Sequence, residues 1–225
     1  MFPTVGYIIT IVLFVIYEWI RWYFAIPPQP IVVTIVAVIA ISFSIYKLMG
    51  LRDRFRNLYL GLDGEKAVGQ YLERLRSEGC RVYHDIIGKG FNIDHVVISP
   101  HGVFVIETKT YRKPSRGQAV VEYDGERILI NGFEPERNAV IQARALGRWL
   151  REILEESTSR KFPVKSVVVL PGWFVEVQAK TKTDVWVLNP KALPSFVAHE
   201  PVIFGADDIA LISSRINTYM QDVIP

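Results

Sequence analysis

The chain has 225 residues, 50% of them hydrophobic, and a mean hydropathy of +0.21, which is too apolar for an ordinary water-soluble domain of this length. A formal net charge of +3 excludes a strongly basic, histone-like protein, so any nucleic-acid contact has to come from a local patch. One cysteine, Cys80, excludes a disulfide scaffold, and histidines scattered at 84, 95, 101 and 199 give no zinc-site spacing, so a metal would have to be held by oxygen ligands.

The apolar excess sits at the front, where residues 1–50 carry only Glu18, Arg21 and Lys47 as charged side chains. Met1 to Tyr17 and Ile31 to Tyr46 are uncharged and, with their flanks, approach the roughly 20 residues needed to cross a bilayer core. Pro27, Pro28 and Pro30 forbid a continuous helix between them, which predicts a hairpin of two transmembrane helices. Tyr17, Trp19, Trp22, Tyr23 and Phe24 form an aromatic girdle at the end of the first span, where Glu18 and Arg21 lie one turn apart and can pair. Lys47, Arg52, Arg54 and Arg56 follow the second span, so the expectation is a two-span protein of the cell membrane with both termini in the cytoplasm. Met1 to Thr10 lacks the basic side chain that a cleaved signal peptide needs. Ala40 and Ser44 suit close helix approach.

From Arg52 to about Ser77 the pattern is helical, with Leu60, Val68, Leu72 and Leu75 at helical spacing and Gly79 as a stop. Strands are predicted at Arg81 to Ile87, Asn92 to Ser99 and Val103 to Lys109, the last two joined as a hairpin through Pro100, His101 and Gly102. Ala119 to Tyr123 and Arg127 to Ile130 form a second hairpin around Asp124 and Gly125. A long helix from Glu136 to about Ser157, strands at Val164 to Leu170 and Asp184 to Leu188, and a closing helix from Ala206 to Asp222 complete an α/β domain, a mixed sheet flanked by helices. The expected organisation is a membrane hairpin over 1–50, a basic juxtamembrane linker or helix start over 51–60, the main domain over 61–200 and a C-terminal helix over 201–225 that packs on it.

The informative residues are acids where the pattern calls for apolar side chains. Glu65 shares a helix face with Val68 and Leu72, so the stripe that packs on the sheet begins with a carboxylate. A buried charge has to neutralise, pair or ligate a metal. Asp94 begins one hairpin strand and Glu107 and Lys109 end the other, so pairing around Pro100 to Gly102 makes Asp94 and Glu107 neighbours. Carboxylates held close repel one another unless a cation sits among them, and hard oxygen ligands suit Mg2+ or Mn2+. Such an ion polarises a phosphodiester and lowers the pKa of bound water. Lys109 can stabilise the charge developing at phosphorus or, with its pKa lowered by burial, help to deprotonate that water; alternatively Glu107 and Lys109 simply compensate each other at a strand end.

The stretch Gly61, Gly64, Glu65, followed by "FNIDHVVISPHGVFVIETKTY" from Phe91 to Tyr111, resembles the nuclease-related domain (NERD), a branch of the PD-(D/E)XK nuclease superfamily. The resemblance covers roughly Gly61 to Leu170, about half of the chain. It implies a restriction-endonuclease-like mixed sheet between helices and magnesium-dependent cleavage of nucleic-acid phosphodiesters. Residue by residue, Asp94 and Glu107 match the metal ligands, Lys109 the catalytic lysine and Glu65 the acid of the first helix. The family's later N-P-x-x-Q motif reads Asn138, Ala139, Val140, Ile141, Gln142, without the proline, a change at the helix start more than in the chemistry. The superfamily's proline before Asp94 is replaced by Ile93. Gln142 lies on the inward face with Leu146, Trp149 and Ile153, where it either orients Glu65 or a metal-bound water or bonds backbone structurally.

Arg137, Arg144, Arg148 and Arg151 make a stripe down the long helix which, with Arg112, Lys113 and Arg116, can track a phosphate backbone or can be a solvated face diluted by Glu152, Glu155 and Glu156. His95 should point to the sheet face opposite Asp94, as a structural histidine. Trp173 and Phe174 either stack bases or serve a core or membrane-proximal role. The reading as a whole is a membrane-anchored, Mg2+- or Mn2+-dependent nuclease, with DNA ahead of RNA as substrate; the alternative is a non-catalytic nucleic-acid- or protein-binding module of the same fold.

Overall fold

A computed structural model describes residues 2–27, 30–114, 116–178 and 183–223. The chain divides into two compact units, Met1–Phe55 and Arg56–Pro225.

In the first unit, helix α1 spans Phe2–Tyr23. It ends where Ala25 takes a left-handed φ of 50° and the Ile26 N–H donates back to the Arg21 carbonyl, at 3.0 Å. Arg21 donates to Glu18 at 3.0 Å, the pair expected at the interface. Two membrane spans were expected. Among the described residues one helix is long and apolar enough to cross a membrane, that covering Thr34–Glu78, with an apolar window of mean hydropathy 1.9. Residues 1–11 of the other expected span have side chains outside the described set. The second helix, α2, runs unbroken over Pro30–Leu72, so the helical pattern read from Arg52 onward continues the apolar segment without a break. Pro30 suits the first turn, and Arg52 to Leu60 is rich in good helix formers without a proline. A 3-10 turn, Glu73–Glu78, follows, and Gly79 at φ 86° closes it by donating to the carbonyls of Arg76 and Leu75.

The second unit is built on a five-stranded sheet. Strands β1 (Arg81–Ile87), β2 (Asn92–Ser99) and β3 (Gly102–Thr108) form an antiparallel meander. Strands β4 (Val120–Tyr123) and β5 (Ile128–Ile130) make the expected second hairpin. Helix α3 (Ala139–Thr158) precedes β6 (Val164–Val169), which lies parallel to β3. Strand β7 (Phe174–Val177) joins β4 in parallel to complete a smaller sheet, order β5-β4-β7. Strand β8 (Val185–Leu188) lies parallel to β6, so the main sheet runs β1-β2-β3-β6-β8. Helices α4 (Leu193–Ala198) and α5 (Ala206–Val223) close the chain.

Period-two alternation sends opposite faces of the meander to different helices. Val97, Phe104 and Ile106 pack on Val68 and Leu72 of α2 and on Leu193 and Val197 of α4. Val96, Ile98, Val103 and Val105 pack on Leu146, Leu150 and Leu154 of α3 and on Ile212 and Ile216 of α5. Each fully buried Leu or Ile side chain contributes roughly 1.5–3 kcal/mol. The smaller sheet closes a third cluster, in which Val121 and Tyr123 meet the first turn of α3 and Val168 and Leu170. Strand β7 is not legible in the sequence because its four residues are mostly exposed and show no alternation.

Asn138 caps α3: its Oδ1 accepts from the N–H groups of Val140 and Ile141 at 2.9 and 3.1 Å. Asn138→Ala is expected to cost about 1 kcal/mol in a denaturant titration, with Asn138→Asp retaining most of the stability; an unchanged midpoint for the alanine variant would remove the cap's role.

Candidate active site

The β2–β3 register pairs His95 with Ile106, so its next step sets Asp94 opposite Glu107. There the ladder departs from backbone pairing, because the Thr108 N–H donates to Asp94 Oδ2 at 2.7 Å. Glu107 is 2% exposed. Its Oε1 accepts from Lys109 Nζ at 2.6 Å and from Gln142 Nε2 of α3 at 2.6 Å, while Oε2 is buried with no hydrogen-bond partner. The sheet therefore brings Asp94, Glu107 and Lys109 together, and α3 adds Gln142. That glutamine bonds Glu107, a partner the sequence reading did not name, because α3 covers the sheet face to which Glu107 points.

Glu65 approaches from α2, the helix on the opposite face. It comes near because α2 meets the chain just past Lys109 at a glycine: a Cβ on Gly64 would stand 2.0 Å from Thr110 Cγ2. Among the described residues, no group of three or more His, Cys, Asp or Glu stands close enough to hold a metal ion. Glu65 lies within electrostatic reach of the other acids: Asp94 helps to raise its carboxyl pKa, and Glu65 in turn helps to raise that of Glu107.

The electrostatics are those of acids gathered at one edge. Burial, then the Asp94 charge, pushes the Glu107 carboxyl up to about 7, against the pull of Lys109. Burial raises Asp94 as well, partly offset by the Thr108 N–H and Lys109. Glu65 is raised by burial and then by Asp94 and Asp85. Asp85 escaped the sequence reading. Pairs His84–His95 and Ile86–Ile93 bracket it opposite Asp94, and it holds a left-handed φ of 53°, uncommon for a non-glycine residue. An aspartate inside a strand-like run is the signal that could have found it. Tyr111 escaped too: it is half-buried, packs edge-on against Trp173 at 6.5 Å, and has its hydroxyl pKa raised by burial and by Glu107.

His95 does face away from Asp94, toward α2. Its Nδ1 lies 2.8 Å from Nδ1 of His84, whose Nε2 lies 2.7 Å from Glu73 Oε1. The arginine stripe is not uniform. Arg144 forks onto Asp184 at 2.6 and 3.0 Å and reaches Glu126 at 3.4 Å, so its charge is committed within the fold. Arg151 donates to the Val164 carbonyl at 3.0 Å. Arg137 and Arg148 are exposed, Arg137 just before α3 begins, as are Arg112, Lys113 and Arg116 in the loop after β3; Arg112 donates to Asn57 at 2.8 Å. Trp173 is buried at 1% exposure, a core residue, whereas Phe174 is exposed.

A mixed sheet between helices, with acids and a lysine at the open end of its central hairpin, defines an α/β domain. Residues 60–171 match the family model described as NERD, the nuclease-related domain, which supports that family for this segment. No curated protein and no solved structure matches the chain.

Proposed function

We propose that the chain is a membrane-anchored, divalent-metal-dependent nuclease that hydrolyses nucleic-acid phosphodiester bonds, with DNA ahead of RNA. The observation that carries this reading is the buried, unpartnered Oε2 of Glu107 beside Asp94 and Lys109. A desolvated carboxylate oxygen without a donor is costly, and a hard cation offsets that cost. Mg2+ is commonly held by one or two carboxylates with water and substrate phosphate completing its shell, so Asp94 and Glu107 fit it without a third acid. Such an ion supplies Lewis-acid polarisation of the phosphodiester and a more acidic bound water. Lys109 places an ammonium beside the reacting phosphate, and Gln142 fixes the Glu107 carboxylate plane through its 2.6 Å bond. Glu65 adds negative charge from α2 at the Asp94 end. Lys113, Arg116, Arg137 and Arg148 offer exposed cations for backbone phosphates.

Anchoring in the cell membrane rests on the apolar segment of α2, and the basic residues Lys47, Arg52 and Arg54 after it favour a cytoplasmic domain and termini. A second reading, a non-catalytic binding module of the same fold, is favoured by the lack of a three-acid metal group among the described residues. The whole chain in lipid nanodiscs, incubated with single- and double-stranded DNA and RNA in Mg2+, Mn2+ or chelator, separates the two. Divalent-dependent cleavage is expected; no cleavage of any substrate, together with no calorimetric Mn2+ binding, would leave only the module.

Mn2+ affinity should depend on pH with a definite sign. The Glu107 proton, held to about pH 7, competes with the ion, so affinity should fall about tenfold per pH unit below 7 and level off above it. Metal-free stability should run the other way: the unfolded chain sheds this proton near its ordinary value and the folded one near 7, so Glu107 costs stability as pH rises between them. Titration calorimetry from pH 5.5 to 8 checks the first, and an affinity flat across that range would contradict it.

A further inference from the structure

Just past the segment matched by the family model, a groove of about 650 Å3 opens between β7 and the stretch from β8 to α4. Two aromatic rings in its lining keep an open face: Phe174 is 54% exposed and Phe196 is 46% exposed. Both are held from behind. The Phe174 N–H donates to the Ala119 carbonyl at 2.8 Å, and Phe196 stands edge-on to Trp186 at 5.4 Å, which itself stacks on Phe104. The cations are placed beside the rings. Lys191 lines the groove, and the Lys113 ammonium lies against Gly172, where a Cβ would come within 2.3 Å of Nζ. No acid is among the described lining residues.

One loop links the groove to the candidate active site. Lys109 leaves β3 into the loop that carries Tyr111 and Lys113; Tyr111 packs on Trp173 of the groove wall, and Lys113 reaches its rim. Exposed rings flanked by lysines suit a ligand with flat apolar faces strung on a polyanion. In a duplex those faces are covered by neighbouring base pairs, and only an unpaired strand presents them. An apolar protein segment would use the rings but leave the lysines without a counterpart.

We propose that this groove receives the unpaired bases of a single-stranded nucleic acid, which stack on Phe174 and Phe196 while Lys113 and Lys191 meet the phosphates. This deepens, and rests on, the nuclease reading above, because it names the strand that the site would be fed.

The test uses the whole chain in nanodiscs, in chelator so that nothing is cleaved, with fluorescence anisotropy of short labelled oligonucleotides. A single strand should bind more tightly than a duplex and than an abasic strand of the same charge. Phe174→Ala and Phe196→Ala should each weaken single-strand binding about tenfold and leave abasic-strand binding unchanged. Phe174→Trp should retain the affinity and Phe174→Leu should lose it, which separates stacking from apolar filling and from misfolding. Lys113→Ala should flatten the salt dependence by about one phosphate contact. Equal binding of single and abasic strands, or wild-type affinity in both alanine variants, would overturn the proposal. Cleavage in Mg2+ without single-strand preference would overturn the groove alone. Single-strand preference in chelator with no cleavage in any metal would uphold the groove and remove the nuclease reading.

Discussion

Asp94→Asn and Lys109→Ala should each lower divalent-dependent cleavage by about a hundred- to a thousandfold while the protein still folds, the range expected when one preorganised electrostatic partner of a transition state is lost. The asparagine keeps an oxygen to accept the Thr108 N–H, so the strand end persists, but its neutral head no longer neutralises a cation. The alanine removes the ammonium 2.6 Å from Glu107 Oε1. Glu107 does not become an unsupported buried anion, because its carboxyl already titrates at about 7 and takes up a proton once Lys109 no longer holds it down. Thermal melting and far-ultraviolet circular dichroism verify folding; a time course of oligonucleotide cleavage reads activity. Wild-type rates in both variants would remove these residues from the chemistry.

Gly64→Ala should be as damaging although it adds one methyl group and changes no charge. Its Cβ would stand 2.0 Å from Thr110 Cγ2, so either α2 retreats or the chain following Lys109 shifts. Retreat costs about 1–3 kcal/mol, as overpacking does, and withdraws Glu65 from Asp94; a shift displaces Lys109 directly. Thr110→Ser in the same chain removes the conflicting methyl and leaves Thr110 Cβ, 3.4 Å from the added carbon, as the nearest remaining atom, so much of both losses should return. Urea midpoints and cleavage rates of the single and double variants form the cycle. A Gly64→Ala protein as stable and active as wild type, or no relief from Thr110→Ser, would show that the contact can relax elsewhere.

The parts of this architecture written in local pattern were readable before any coordinates. The meander, the Asp124–Gly125 hairpin, the long α3 and the Gly79 stop all follow from spacing and turn residues. Alternation also placed Asp94 beside Glu107 and turned His95 to the far face. What was missed depends on contacts distant in sequence. Strand β7 exists because β4 offers it an edge, not because Phe174 to Val177 alternate. The Gln142 partner could not be read from helical phase, which says inward but not onto which residue. Arg144 looked like one cation in a stripe because Asp184, which takes its fork, lies forty positions away. Glu65 satisfied the motif, but that it comes from α2 while Gln142 comes from α3, the helices of opposite sheet faces, is a relation that a linear pattern does not carry.

A histidine pair stands behind the hairpin, on the sheet face away from Asp94. Two imidazole nitrogens 2.8 Å apart share a single hydrogen, so both rings cannot be imidazolium in this geometry. Burial and its neighbour keep His95 down at about 4, hence uncharged near neutral pH. The residue next to Asp94 in sequence thus brings no positive charge to the reverse side of β2. Lys109 is then the cation that lowers the Asp94 and Glu107 carboxyls against the burial that raises them, so the electrostatic balance of this end of the sheet turns on one ammonium group.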